Sequence, residues 1–157
     1  MSELVFEQMD LGADFAKYDQ LARAEMRDND LVDGRELRQL LAERAICAWW
    51  VRRPEQSEPV GWCSIMDPPI FGWENKTAHI FGVIVFGSEK GKGIGSAIIR
   101  WLVDQFGARS LTAAIAPTNL ASERAFRSMG FVVMATEEGE PWRTWRRHPT
   151  SESSSSI

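Results

Sequence analysis

Gly91, Gly93 and Gly95 stand two residues apart in the run Lys90-Gly91-Lys92-Gly93-Ile94-Gly95-Ser96, just after an apolar segment that ends Val83-Ile84-Val85. A loop of this kind, leading into a helix, leaves several backbone N–H groups without helical partners at the positive end of the helix dipole, and glycine lets a ligand come close to them. That is the chemistry of an anion site suited to phosphate groups. Counting separates the run from two other phosphate loops. A P-loop needs four residues between its glycines and then Lys-Ser/Thr, whereas Gly82 and Gly87 are followed by Ser88-Glu89; a dinucleotide fingerprint needs GxGxxG, and the spacing here is GxGxG. Upstream, His79 carries an imidazole whose ordinary pKa near 6.5 leaves it mostly unprotonated at pH 7.5, so it can accept a proton. Alternation predicts that His79 shares a face with Phe81, Val83 and Val85. A hydrogen-bonded core histidine is the other reading of this residue.

A second pattern lies downstream, Asn119-Leu-Ala-Ser-Glu-Arg-Ala-Phe-Arg-Ser-Met-Gly130-Phe131. Together the two runs resemble the GNAT acetyltransferase superfamily, whose acetyl-CoA pyrophosphate loop reads Arg/Gln-x-x-Gly-x-Gly/Ala at the start of a helix and is followed by an Asn…Gly-Phe motif. The resemblance extends over residues 4–147. It implies an α/β fold with a single mixed, mostly antiparallel sheet, flanking helices and a splayed central strand pair. It also implies acetyl-CoA as co-substrate and direct acetyl transfer to an amine acceptor, protein or small-molecule. Carried onto this sequence, Val83, Ile84 and Val85 would offer backbone groups to pantetheine, and Lys90, Gly91, Lys92, Gly93, Ile94, Gly95 and Ser96 would hold the pyrophosphate. Asn119 and Ser122 would border the thiol end, Phe126 would also be among the cofactor-binding residues, and Arg124 is a candidate for the 3′-phosphate. Asn119 also suits a helix N-cap, a role that does not exclude cofactor contact.

Lysine replaces the leading Arg or Gln of the loop. Where the family often has a tyrosine to protonate the departing thiolate, the residue is Phe126; the single tyrosine of the chain is Tyr18. That leaves solvent, Ser122 or no acid. The family's frequent glutamate base is replaced by His79. A base or a desolvating pocket has a defined task, because an amine of pKa about 10.4 is neutral in roughly one molecule in a thousand at pH 7.5, a deficit of about 4 kcal/mol. Positioning can supply more than the base. Two other readings remain open: an acyl-CoA-binding module without catalysis, and nucleic-acid binding through the Trp142-Arg143-Thr144-Trp145-Arg146-Arg147 cluster by stacking and charge.

The elements that must position these residues follow from periodicity. Residues 4–9 read as a strand, and Phe15, Tyr18, Ala22 and Met26 mark one face of a helix. Asp33, three residues before Glu36, opens a second helix with the stripe Leu37, Leu40 and Leu41. Runs 45–51 and 60–66 predict a hairpin, Asp67-Pro68-Pro69 breaks the chain, and 77–86 is apolar on both faces like a buried central strand. After the glycines, Ile94, Ala97, Ile98, Trp101 and Leu102 predict a helix closed by Gly107. A strand at 111–116, a helix from about Asn119 to Met129 ended by Gly130 and a strand at 131–135 follow. A turn at 137–140, an edge strand at 142–147 and a disordered serine-rich tail at 150–157 end the chain.

At 157 residues, 44% hydrophobic and 25% charged, the chain has room for one domain, here 1–149, and excludes disordered or fibrous classes. Its net charge of −4 disfavours a phosphate backbone as partner. Residues 1–45 carry 11 acidic and six basic side chains, so the negative field sits at one end and would favour a cationic amine. Cys47 and Cys63 read as buried thiols of a reducing compartment, with no metal-ligand spacing. No apolar run approaches the roughly 18 residues of a membrane span, so the reading is soluble and cytoplasmic. Seven tryptophans leave apolar surface for a homodimer.

Overall fold

The computed structural model describes residues 3–25, 32–66, 77–116, 119–134, 139 and 142–149. Met26, the 67–69 break, residues 137, 138 and 140 of the expected turn, and the tail lie outside these. Seven strands form one sheet: β1 (Val5–Gln8), β2 (Cys47–Arg52), β3 (Pro59–Met66), β4 (Thr77–Val85), β5 (Ser110–Ile115), β6 (Val132–Val133) and β7 (Arg143–Arg147). Their order across the sheet is β1-β2-β3-β4-β5-β7-β6, and the β4–β5 pair alone is parallel. The expected mixed, mostly antiparallel sheet is therefore present. The last strand is not an edge, however: β7 runs between β5 and β6, and of the expected 131–135 strand Val132 and Val133 pair outside it, with the Met134 N–H donating to Thr144 O at 2.8 Å.

Helices cover both faces. α1 (Phe15–Arg23) and α2 (Gly34–Ala42) begin at Asp14 and Asp33, whose side chains accept the N–H groups of Lys17 and Glu36. Both pack on one face around Tyr18, Ala22, Leu37, Trp62 and Ile84. α3 (Ile94–Phe106) and α4 (Leu120–Ser128) pack on the other around Ile98, Leu102, Leu111, Phe126 and Trp145. The amphipathic periods of all four helices were legible because each buries one stripe. Gly107 stays right-handed at φ −73°, so the tightness against the Val103 carbonyl, and not a left-handed turn, is what requires glycine there.

β4 contains the feature that matters most for the site. Its register against β3 shifts between Ser64 and Ile65: Ser64 pairs with Gly82 but Ile65 with Ile80, leaving one extra residue on β4. Phe81 and Gly82 therefore project to the same side. A Cβ on Gly82 would lie 2.9 Å from the Trp62 ring, which is pinned by its Nε1–H donating to Met9 Sδ at 3.0 Å and by Tyr18 at 5.0 Å between ring centroids. Gly82→Ala is expected to cost about 1–3 kcal/mol by overpacking, read as a lowered denaturation midpoint at unchanged m-value.

Candidate functional site

Beyond the bulge, β4 and β5 part. They pair only from Thr77↔Ser110 to Ile80↔Ala113, while β4 goes on bonding to β3 as far as Val85. The Phe86 N–H donates to Val60 O at 3.0 Å, and in an antiparallel pair the direction alternates along the strand. Ile84 consequently turns its N–H and C=O toward β3, whereas those of Val83 and Val85 turn into the gap left by β5. The expectation of three cleft-facing backbone residues is corrected to two, for this stereochemical reason.

The gap opens into a cleft of about 420 Å³. Val83, Ile84 and Val85 form one wall; Lys90, Gly91, Gly93, Ile94, Gly95 and Ser96 form the end at α3; Asn119, Ser122 and Phe126 come from α4. Twelve of the fifteen residues singled out from sequence thus meet around one cavity. At its α3 end, Gly91 and Gly93 have φ of 80° and 81°, a left-handed conformation that side chains with a Cβ adopt at a cost. Gly93 is the N-cap and offers no side-chain cap, and Ala97 N–H bonds to its carbonyl at 3.1 Å. The N–H groups of Ile94, Gly95 and Ser96 are thereby left without helical partners where a phosphate could take them. Asn119 does cap α4, its Oδ1 accepting Ser122 N–H at 3.2 Å. Cap and cleft wall coincide in this residue.

His79, Lys92 and Arg124 do not line the cleft. Lys92 turns outward, 3.9 Å from Glu89, and Arg124 is exposed on α4. His79 is displaced by the bulge: the extra residue at Phe81 reverses the alternation, so His79 lies on the α1–α2 face while Val83 and Val85 pack with the α3–α4 core. The shared face predicted for His79, Val83 and Val85 is thus corrected. His79 sits at the apex where β4 and β5 part, its Nδ1 2.9 Å from Thr112 Oγ1, and burial lowers its pKa, keeping the ring neutral at pH 7.

Glu25, Ile99, Ala121 and Ala125 also line the cleft. The two alanines fall on the helical face of Ser122 and Phe126, and Ile99 lies one turn after Gly95, so spacing could have found them. No sequence signal points to Glu25. Cys63 is fully buried with its thiol pKa pushed up by desolvation, which makes it inert, and Cys47 is half-buried. In the Trp142–Arg147 cluster, Trp145 is buried with Arg127 over its ring at 5.1 Å, which removes that ring from any stacking with bases. Among the described residues there is no cluster of potential metal ligands, and no helix is long and apolar enough to cross a membrane.

No curated protein matches the chain by sequence. Solved structures do match by fold. The structure of yncA from Salmonella typhimurium with its cofactor acetyl-CoA is 21% identical, at a TM-score of 0.70 with 94% of each chain covered. A chimera of the spermidine N-acetyltransferase SpeG from Vibrio cholerae and hSSAT is 17% identical, with a TM-score of 0.74, covering 98% of this chain and 100% of that one. AAC(6')-Ib in complex with ribostamycin and coenzyme A is 15% identical, at 0.74 and 99% of each chain. A family model matches residues 15–131, three-quarters of the sequence and both glycine-bearing motifs within it, and the chain belongs to the acetyltransferase (GNAT) family.

Proposed function

We propose that the protein transfers the acetyl group of acetyl-CoA directly to the nitrogen of a primary amine. The observation that carries this reading is the parting of β4 from β5, which leaves the backbone groups of Val83 and Val85 without a partner in β5, beside a helix N-terminus able to hold phosphates. Amide-bearing pantetheine suits the former and pyrophosphate the latter. The cofactor would supply an activated acyl thioester; the chain's own residues supply alignment and proton handling. The side chains of α3 and α4 fill one face of the cleft, so an amine comes from the other face, where neutral His79 stands at the apex and can take the amine's proton. Thr112 fixes the ring orientation. Ser122, on the cleft wall, is the hydroxyl available near the departing sulfur. Spermidine and ribostamycin, named with two of the similar structures, are both polyamines, and the acidic N-terminal region suits a cationic acceptor.

The test is release of free CoA thiol from acetyl-CoA with and without spermidine, ribostamycin and lysine peptides. Amine-dependent release supports transfer. Phe126 favours a second reading, a silent acyl-CoA-binding module, which would show saturable acetyl-CoA binding and no release with any amine; absence of binding would sink both. Phe126 is buried, packs edge-on to Phe131 at 5.0 Å and still lines the cleft. Phe126→Tyr is accordingly expected to fold normally and to raise the rate of thiol release severalfold where thiolate departure limits turnover, measured as kcat at saturating amine.

A further inference from the structure

The C-terminal end of α1 reaches across to the phosphate loop. Glu25 is 62 residues upstream of Gly87, yet its Oε2 accepts the Gly87 N–H at 2.7 Å, and its Oε1 lies 2.5 Å from Lys90 Nζ. Only 10% of the Glu25 side chain is exposed, against 60% for Lys90. It is the one acidic residue lining the cleft among those described. Burial works to raise its pKa, but Lys90 and the Gly87 N–H outweigh that and hold the carboxyl below its ordinary value, so it is an anion at neutral pH. A second carboxylate, Glu89, does not line the cleft and forms an ion pair with Arg53 at 2.6 Å.

A carboxylate held by one backbone N–H and one ammonium has the donor set that a phosphate oxygen would use. We propose that Glu25 is an internal competitor for the phosphate end of the cleft: it occupies Lys90 and repels an incoming pyrophosphate, and a ligand that takes Lys90 unties the end of α1. The part that concerns acetyl-CoA rests on the reading above; the competition itself concerns any pyrophosphate-bearing ligand.

Titration calorimetry on wild type, Glu25→Gln and Glu25→Ala with three probes tests it: acetyl-CoA, S-acetylpantetheine, which lacks every phosphate, and inorganic pyrophosphate. Both variants are expected to bind acetyl-CoA and pyrophosphate about three- to tenfold more tightly, the scale of removing one like charge at a partly exposed site, with S-acetylpantetheine unchanged. Because the two substitutions differ in volume, a concordant gain reports charge and not packing. Weaker or unchanged binding of the phosphate-bearing probes would overturn the proposal, assigning Glu25 to positioning the loop. So would an equal gain for S-acetylpantetheine. If wild type binds no acetyl-CoA, the transferase reading falls, and the competitor then stands or falls on pyrophosphate alone.

Discussion

Gly93→Val is expected to abolish measurable acetyl-CoA binding while the protein still unfolds cooperatively. Gly93 holds φ 81° and ψ 8° as the N-cap of α3, and it lines the cleft. A β-branched residue in that left-handed conformation costs on the order of 1–3 kcal/mol, and relief of the strain would turn the first N–H groups of α3 away from the ligand. The fold survives because the strain is confined to the loop, and the α3 residues that carry the core, Ile94, Ile98, Ile99 and Leu102, are untouched. At a hundredfold excess of ligand over Kd, binding stabilises wild type by about 2.7 kcal/mol, which for a chain of this size raises Tm by roughly 5–10 °C. Differential scanning fluorimetry should show that rise in wild type and none in the variant. A variant protected as well as wild type would mean that the glycine loop does not hold the phosphates.

His79→Ala is expected to lower acetyl transfer by about 10²-fold or more, the usual loss for a general base, with acetyl-CoA affinity nearly unchanged, since His79 does not line the cleft. The pH dependence follows from burial. The ring must be neutral to accept a proton, and desolvation lowers its pKa, so the rising limb of kcat against pH should fall below the ordinary value of about 6.5, with a plateau above neutrality. Stability follows the same sign. The folded state holds its proton less tightly than the unfolded one, so stabilisation from neutral His79 is present above about pH 6.5 and is lost as pH falls. His79→Gln should remove the kinetic limb and flatten part of that acid-side decline in Tm. A variant with most of its turnover and the wild-type profile would assign His79 to the sheet core and the amine's proton to solvent.

What could be read from the sequence was what local chemistry determines. The glycine loop and α3 were legible because three glycines and a following helical period are a contiguous signal, and α4 because Asn119 and Gly130 mark its two ends. The face of His79 was not legible. A bulge depends on how Ser64 and Ile65 pair across a strand more than a dozen residues away, and one extra residue reverses every inference drawn from alternation. Strand order was hidden for a related reason: β7 returns to pair with β5 along its whole length, which displaces the sequence-adjacent β6 to the margin. Glu25 lies in an acidic stretch that looks solvated, and only the fold brings it to Gly87.

The alternating direction of the β4 backbone has a consequence for solvent exchange. Neighbouring amides of one strand should differ: the Ile84 N–H, tied into β3, should exchange deuterium slowly, at a rate set by opening of the sheet, while the Val83 and Val85 N–H groups should exchange orders of magnitude faster in the free protein. Acetyl-CoA should slow those two and leave Ile84 unchanged. An exchange record at single-residue resolution would thus print the occupancy of the cleft as a two-residue rhythm along β4, in the free protein as a difference between neighbours and in the loaded protein as its disappearance.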